Sequence, residues 1–111
     1  MGDYAASGGY YLSCGANRIF ANPATLTGSI GIFGLVPNAQ KLLSEKIGLS
    51  FDEVKTNKYG AFPTIERPMT NDEKQKMQTY INRGYDLFIK RCAQGRKMSV
   101  DQIKNIAEGR V

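Results

Sequence analysis

The clearest pattern of apolar and polar positions lies in the C-terminal half of the chain. Apolar or small side chains recur there at helical spacing, at Met77, Ile81, Gly84, Phe88 and Cys92. Thr70 and Glu73, just before them, have the spacing of a capping box, in which each side chain accepts a hydrogen bond from the other residue's backbone N–H. The pattern predicts the longest helix of the protein, running to about Gln94 and ended by Gly95. We interpret its apolar stripe as core, not as a cofactor site.

A shorter helix is predicted to follow. Ser99 and Gln102 form a second capping-box pair, and Ile103 and Ile106 give this helix one apolar face. We expect both isoleucines to be buried.

The N-terminal third is rich in small residues and glycine. Residues 5–14 suit a tightly packed helix that starts near Tyr4, with Ser7 in its first turn and Gly15 at its end. Residues 18–21 predict a short strand, followed by a turn at Asn22-Pro23. Residues 25–34 contain glycines at positions 28, 31 and 34, which indicates backbone held close to another strand or to a bound peptide.

The middle of the chain predicts short elements around a long loop. Residues 37–46 favour an amphipathic helix closed by Gly48, residues 49–54 a strand, and residues 55–68 a polar exposed loop. The order of all elements favours the α/β class with largely parallel strands. At 111 residues the chain fits one small domain. We expect residues 1–111 to be a fragment of a longer domain, because no strand is predicted before Ser7 and the chain stops where another element would follow.

Composition removes several kinds of chemistry. The chain has no histidine, so it cannot supply a Ser-His-Asp or Cys-His centre or a histidine-ligated metal site. The net charge of +5 comes from scattered bases without a basic stripe, which argues against nucleic-acid binding. Cys14 and Cys92 show no metal-ligand spacing and are interpreted as core residues, although a bridge between them stays open. No apolar run has the length of a membrane span.

Ser7 is the candidate nucleophile, in the stretch DYAASGGYY of residues 3–11. Gly8 and Gly9 leave room for a substrate carbonyl beside Ser7 and the amide that follows it, and such an amide can stabilise an oxyanion. The alternative is that Ser7 caps or packs a helix, and this stretch by itself favours that alternative.

Three segments together change that balance. Residues 1–11, residues 18–33 with the motif TGSIG, and the terminal IAEGRV resemble the signal peptide peptidase A (protease IV) family, the serine peptidases of the S49 group. The resemblance runs from Met1 to Val111. It implies a ClpP/crotonase-like α/β fold, a Ser-Lys dyad and no cofactor or metal.

The resemblance also implies roles for individual residues. Ser7 matches the family nucleophile, and Ser29 matches the serine whose hydroxyl orients the lysine. The Gly8 amide matches an oxyanion donor, whereas Ile32 and Phe33 would line an apolar substrate pocket. The dyad lysine must be neutral to act as a base, so its pKa must be lowered.

The lysine itself does not match. In the short family form it lies in the loop after the strand equivalent to residues 49–54, and counting from Phe51 places that position at Gly60. Lys58 is two residues away and Lys55 five. In the long tandem form the lysine comes from the N-terminal half. We therefore expect the nucleophile-bearing C-terminal half of a long form, inactive alone, with Lys58 as the alternative local base.

The resemblance further implies cleaved signal peptides as substrates, the N-terminal half as a partner, a homo-oligomer, and a bacterial inner-membrane location facing the periplasm. Two other functional hypotheses stay open. One is a non-catalytic structural or oligomerisation module of a tandem S49 protein. The other is an acyl-CoA-handling crotonase, which shares the fold but does not need a serine at position 7.

Overall fold

A computed structural model describes all residues from Met1 to Val111. Its α-helices and strands, in chain order, are β1 Tyr4–Ala6, α1 Gly8–Ser13, β2 Leu26–Gly28, α2 Asn71–Arg96 and α3 Val100–Ile106. The chain divides into two compact units, one of residues 1–33 with residues 80–111 and the other of residues 34–79.

The first unit contains a two-stranded parallel sheet. Tyr4 pairs with Leu26 and Ala6 with Gly28, which confirms the prediction of parallel strands. The prediction of a helix from Tyr4 was wrong, because residues 4–6 form β1 and the helix begins only at Gly8. The expectation that no strand precedes Ser7 was wrong for the same reason. Small residues such as those of this stretch fit either structure, and pairing with β2 decides for the strand.

Two other predicted strands do not form. Residues 18–21 and residues 49–54 have irregular backbone, whereas β1 and β2 are the sheet's two members. A strand needs a neighbour that satisfies its backbone groups, and the structure provides none for these two stretches. The helix predicted over residues 37–46 is limited to a π-helical segment, Lys41–Lys46, and the irregular loop of residues 55–68 is confirmed.

Both capping boxes are confirmed. The Thr70 N–H donates to the Glu73 carboxylate at 2.8 Å, and the Glu73 N–H donates to the Thr70 hydroxyl at 3.2 Å. Ser99 and Gln102 make the equivalent pair at the start of α3. The predicted helix end at Gly95 was wrong, since α2 continues to Arg96.

The core of the first unit is formed where α1, α2 and α3 meet the segment after β2. Its fully or almost fully buried members are Cys14, Ile30, Phe88, Ile89, Cys92, Ala93, Ile103 and Ala107. The Tyr11 ring packs edge-on against Phe88, with ring centres 5.2 Å apart. Ile106 is 52% exposed, which corrects the predicted buried face. Ala107 takes that place because residues four apart lie only about 40° apart around a helix of 3.6 residues per turn.

The second unit has an ion pair at the start of α2. Arg67 donates two hydrogen bonds to the Glu73 carboxylate, at 2.7 and 2.8 Å. Glu73 is only 3% exposed. The hydrogen bonds from Arg67 and from the Thr70 backbone lower the pKa of Glu73 to about 2. The pair thereby ties the end of the long loop to α2.

None of the helices has the length and apolarity that a membrane span requires.

Candidate active site

Ser7 occupies the sharp turn between β1 and α1. Its backbone has φ 50° and ψ −114°. A positive φ is uncommon for a residue with a side chain, and such strain costs about 1–3 kcal/mol and tends to persist at functional sites. Two hydrogen bonds hold this conformation. The Ser7 N–H donates to the Gly28 carbonyl at 3.0 Å, and the Ser7 carbonyl accepts from the Tyr11 N–H at 2.8 Å.

The Ser7 side chain does not behave as a helix cap. It stands at the N-cap position of α1 but makes no capping hydrogen bond. The residue is exposed, so it does not serve packing either. Both parts of the structural alternative, capping and packing, therefore lack support in the folded chain.

Ser29 lies at the same edge of the sheet as Ser7. It follows the last residue of β2, as Ser7 follows the last residue of β1, and those last residues, Ala6 and Gly28, are register partners. Neighbouring parallel strands are about 4.8 Å apart. Ser29 also has a positive φ, of 48°. The fold thus brings together two serines that are 22 positions apart in sequence.

The C-terminal segment holds Ser29 in place. The Ser29 N–H donates to the Arg110 carbonyl at 2.6 Å, and the Gly109 N–H donates to the Ile30 carbonyl at 3.3 Å. A Cβ at Gly31 would be 3.0 Å from the Gly109 nitrogen. Gly28 and Gly31 therefore bring backbone close to backbone, as predicted, and their neighbours are β1 and the chain's own C-terminal segment.

Gly8 provides an amide directly after Ser7. As the first residue of α1 it has no acceptor within the helix for its N–H. A Cβ added at Gly8 would meet nothing within 4 Å, so the space beside Ser7 is open. An N–H so placed can donate to negative charge that develops on a carbonyl attacked by Ser7.

Ile32 and Phe33 lie just beyond this segment. Phe33 is 92% exposed, and Ile32 is 40% exposed. The end of the Ile32 side chain covers Gly84 of α2, 2.7 Å from where a Cβ would be. Both side chains are thus accessible apolar groups near the Ser29 segment.

Lys58 is held by partners within the second unit. Its ammonium is 2.6 Å from the Asp72 carboxylate, which also accepts the Tyr59 hydroxyl at 2.5 Å. The hydrogen bond from Lys58 to Asp72 is the main cause that raises the pKa of Lys58. Lys55 is paired with Glu53 at 2.9 Å. A general base needs the opposite shift, so the observed pairing opposes that role for Lys58.

The cysteines are free and buried. Burial, followed by the neighbouring Cys14, raises the pKa of Cys92 to about 12, so its thiol stays protonated at neutral pH. This is the environment of an inert core cysteine, not of a nucleophile. No group of three or more Cys, Asp and Glu side chains is arranged to hold a metal ion.

Sequence reasoning missed one group that contacts the chain at the C-terminal end of α1. Arg96, at the end of α2, donates from Nε to the Cys14 carbonyl at 3.0 Å and from Nη2 to the Ala16 carbonyl. A basic residue directly after Gly95 was the available signal. From the sequence, Arg96 is one of many scattered bases, because the approach of α2 to α1 is visible only in the tertiary structure.

Known proteins that resemble this chain are proteases. The model of peptidase family S49 matches residues 1–111. The chain is 43% identical over 111 residues to Protease 4 of Salmonella typhi and covers 18% of its length. It is 39% identical over 112 residues to the chloroplastic Serine protease SPPA of Arabidopsis thaliana, of which it covers 16%. A Synechocystis relative is 36% identical, with 40% of its length covered. The chain therefore spans less than half of each of these relatives.

Proposed function

The chain belongs to peptidase family S49, and from that premise we propose that it carries the nucleophile of a longer serine endopeptidase with a Ser-Lys dyad. Ser7 is the proposed nucleophile. The observation that carries this proposal is the strained Ser7 turn between β1 and α1, beside Ser29 at the same edge of the sheet. Strain at an exposed serine without a capping role has a ready explanation if the hydroxyl must be presented to a substrate.

The proposed reaction is acyl transfer to Ser7 followed by hydrolysis. A neutral lysine takes the Ser7 hydroxyl proton as Oγ bonds to the substrate carbonyl carbon. The Gly8 N–H donates to the oxyanion that forms. The intermediate then breaks the peptide C–N bond while the lysine returns its proton to the leaving amine. A water molecule, activated by the same lysine, releases the acyl group and restores Ser7.

The base is proposed to come from outside these 111 residues. Lys58 has a raised pKa through its bond to Asp72, so it holds its proton more firmly than a free lysine. Ser29 is the proposed partner that orients the incoming lysine through its hydroxyl. The chain alone is then expected to be inactive, because an unactivated serine is a poor nucleophile.

The finer proposals follow the family. The substrates are cleaved signal peptides, with the exposed Ile32 and Phe33 as part of an apolar pocket. The partner that completes the dyad is the N-terminal half of a tandem parent at the bacterial inner membrane, facing the periplasm.

Self-association is the other proposed interaction. Large apolar side chains are strongly exposed, among them Leu12 at 84% and Phe20 at 76%, and such groups favour contact between copies. Light scattering tests it: mass should rise above one chain with concentration, and a monodisperse monomer at high concentration would count against it.

The deciding experiment is intact mass after treatment with a fluorophosphonate. It is done on this chain and on a version extended upstream by the other half, each beside Ser7→Ala. Ser13→Ala is the matched control, because Ser13 lies in α1, which follows Ser7. The Ser13 hydroxyl donates to the Gly9 carbonyl at 2.5 Å, so it is engaged within the helix.

Labelling of the extended chain only, lost with Ser7→Ala and kept with Ser13→Ala, is the expected result. Labelling of the short chain as well would place the base locally and contradict the inactivity of the chain. No labelling of either would favour the alternative of a non-catalytic module.

A further inference from the structure

One arginine binds the chain at the C-terminal end of α1 (Gly8–Ser13), the helix that follows the proposed nucleophile Ser7. The Arg96 guanidinium donates to two carbonyls, those of Cys14 and Ala16, where the chain leaves α1. These carbonyls lie past the last helical residue, where no intrahelical N–H reaches them. A planar guanidinium can serve two acceptors at once, which an ammonium on a flexible stem does less well.

Gly95 is what allows this contact. A Cβ at Gly95 would be 2.0 Å from the Cys14 carbonyl oxygen and 2.8 Å from its carbon. No real side chain tolerates such distances, so the C-terminal end of α1 rests directly on α2 only because position 95 is glycine. The predicted role of Gly95 as a helix end is thereby replaced by a packing role.

The contact at this end constrains Ser7 at the other. α1 has six residues and is therefore only ~9 Å long. A rigid element of that length moves at both ends when it tilts. Tyr10 and Tyr11 of α1 also pack against the core, Tyr11 edge-on against Phe88, and such apolar packing permits rotation more readily than a pair of hydrogen bonds does.

We propose that Arg96 is a positioning residue for the Ser7 nucleophile: its guanidinium holds the C-terminal end of α1 on α2 and so sets where Ser7 and the Gly8 amide stand. The effect of Arg96 on catalysis rests on the proposed function, in which Ser7 is the nucleophile. Its geometric part, that Arg96 fixes the Ser7 turn from a distance, stands on the contacts themselves.

The first test measures the rate of fluorophosphonate labelling in the upstream-extended chain. Arg96→Gln is expected to slow labelling about tenfold or more, because a displacement of even about 1 Å at a reacting group is costly. Arg96→Lys, which keeps the charge but loses the planar fork, should fall between Arg96→Gln and the parent. Arg91→Gln is the matched control, since Arg91 is an exposed arginine on the same helix, and it should label at the parent rate.

Two readouts separate positioning from a merely structural role. The pH midpoint of labelling should stay unchanged in Arg96→Gln, because the base is not touched, while the plateau rate falls. Melting followed by circular dichroism must show the variants folded at the assay temperature. A parent-like rate in folded Arg96→Gln overturns the proposal.

The second test does not depend on activity. Amide resonances of the 111-residue chain are compared by two-dimensional NMR for the parent, Arg96→Lys, Arg96→Gln and Arg91→Gln. The proposal expects the Ser7 and Gly8 amides to shift in Arg96→Gln, less in Arg96→Lys, and not in Arg91→Gln. Shifts confined to residues 12–18 would overturn it. If the extended parent is not labelled at all, the proposed function fails while this test still decides the positioning.

Discussion

Replacing Ser7 by glycine should stabilise the folded chain while it removes the proposed nucleophile. The backbone of Ser7 has φ 50°, where a residue with a Cβ is strained by about 1–3 kcal/mol. Glycine adopts a positive φ without that cost but loses about 0.5–1 kcal/mol through the greater freedom of the unfolded chain. The difference predicts a net gain of about 1 kcal/mol. Ser7→Ala keeps the Cβ and should remain within about 0.5 kcal/mol of the parent, as exposed substitutions usually do.

Urea unfolding followed by circular dichroism measures this difference. With a denaturant slope of about 1–3 kcal/mol per molar, a gain of 1 kcal/mol raises the midpoint by about 0.3–1 M. Ser50→Gly is the control for the unfolded-state cost, because Ser50 is exposed and lacks a positive φ, and its midpoint should fall. A Ser7→Gly chain no more stable than Ser7→Ala would refute backbone strain at the Ser7 turn.

Three further outcomes are expected. Gly31→Ala should lower the free energy of unfolding by about 1–3 kcal/mol, because the added Cβ meets the Gly109 backbone. Gly15→Ala, with open space around the added Cβ, should be neutral or slightly stabilising. Equal urea midpoints of the two variants would contradict this. The pKa of the Glu73 carboxylate falls to about 2 on folding, so the ionised group stabilises the fold above its ordinary pKa and this stabilisation is lost as pH drops from about 5 to about 2. The difference in urea midpoint between the parent and Glu73→Gln should therefore be smaller at pH 2.5 than at pH 7. A difference that stays constant would count against the lowered pKa. Lys58→Ala should leave labelling of the upstream-extended chain unchanged; loss of labelling with the fold intact would make Lys58 the base.

Local signals were enough to locate the starts of the two C-terminal helices. Two capping boxes, at Thr70 and at Ser99, marked the starts of α2 and α3 within the ordinary uncertainty of helix ends. The reason is that a cap joins residues only three positions apart. The same reasoning misplaced Gly95 as a helix end, because its contact with the Cys14 carbonyl involves residues 81 positions apart (95 − 14).

The strands show the opposite case. Residues 18–21 have a strand-like composition and remain irregular, whereas residues 4–6 consist of Tyr and two alanines and form β1. Whether a short segment is a strand is decided by a partner that can satisfy its backbone, and here that partner lies 22 residues away in β2.

The candidate site divides along the same line. The motifs around Ser7 and Ser29, and with them the family, are properties of the sequence, because they are runs of a few adjacent residues of defined type. Only the tertiary structure decided four other features: the strained φ of both serines, their position at one sheet edge, the ion pair that raises the pKa of Lys58, and the hydrogen bonds of Arg96 at the end of α1. Each of these depends on groups brought together by packing or by side-chain placement, and distances in space are not encoded by spacing along the chain.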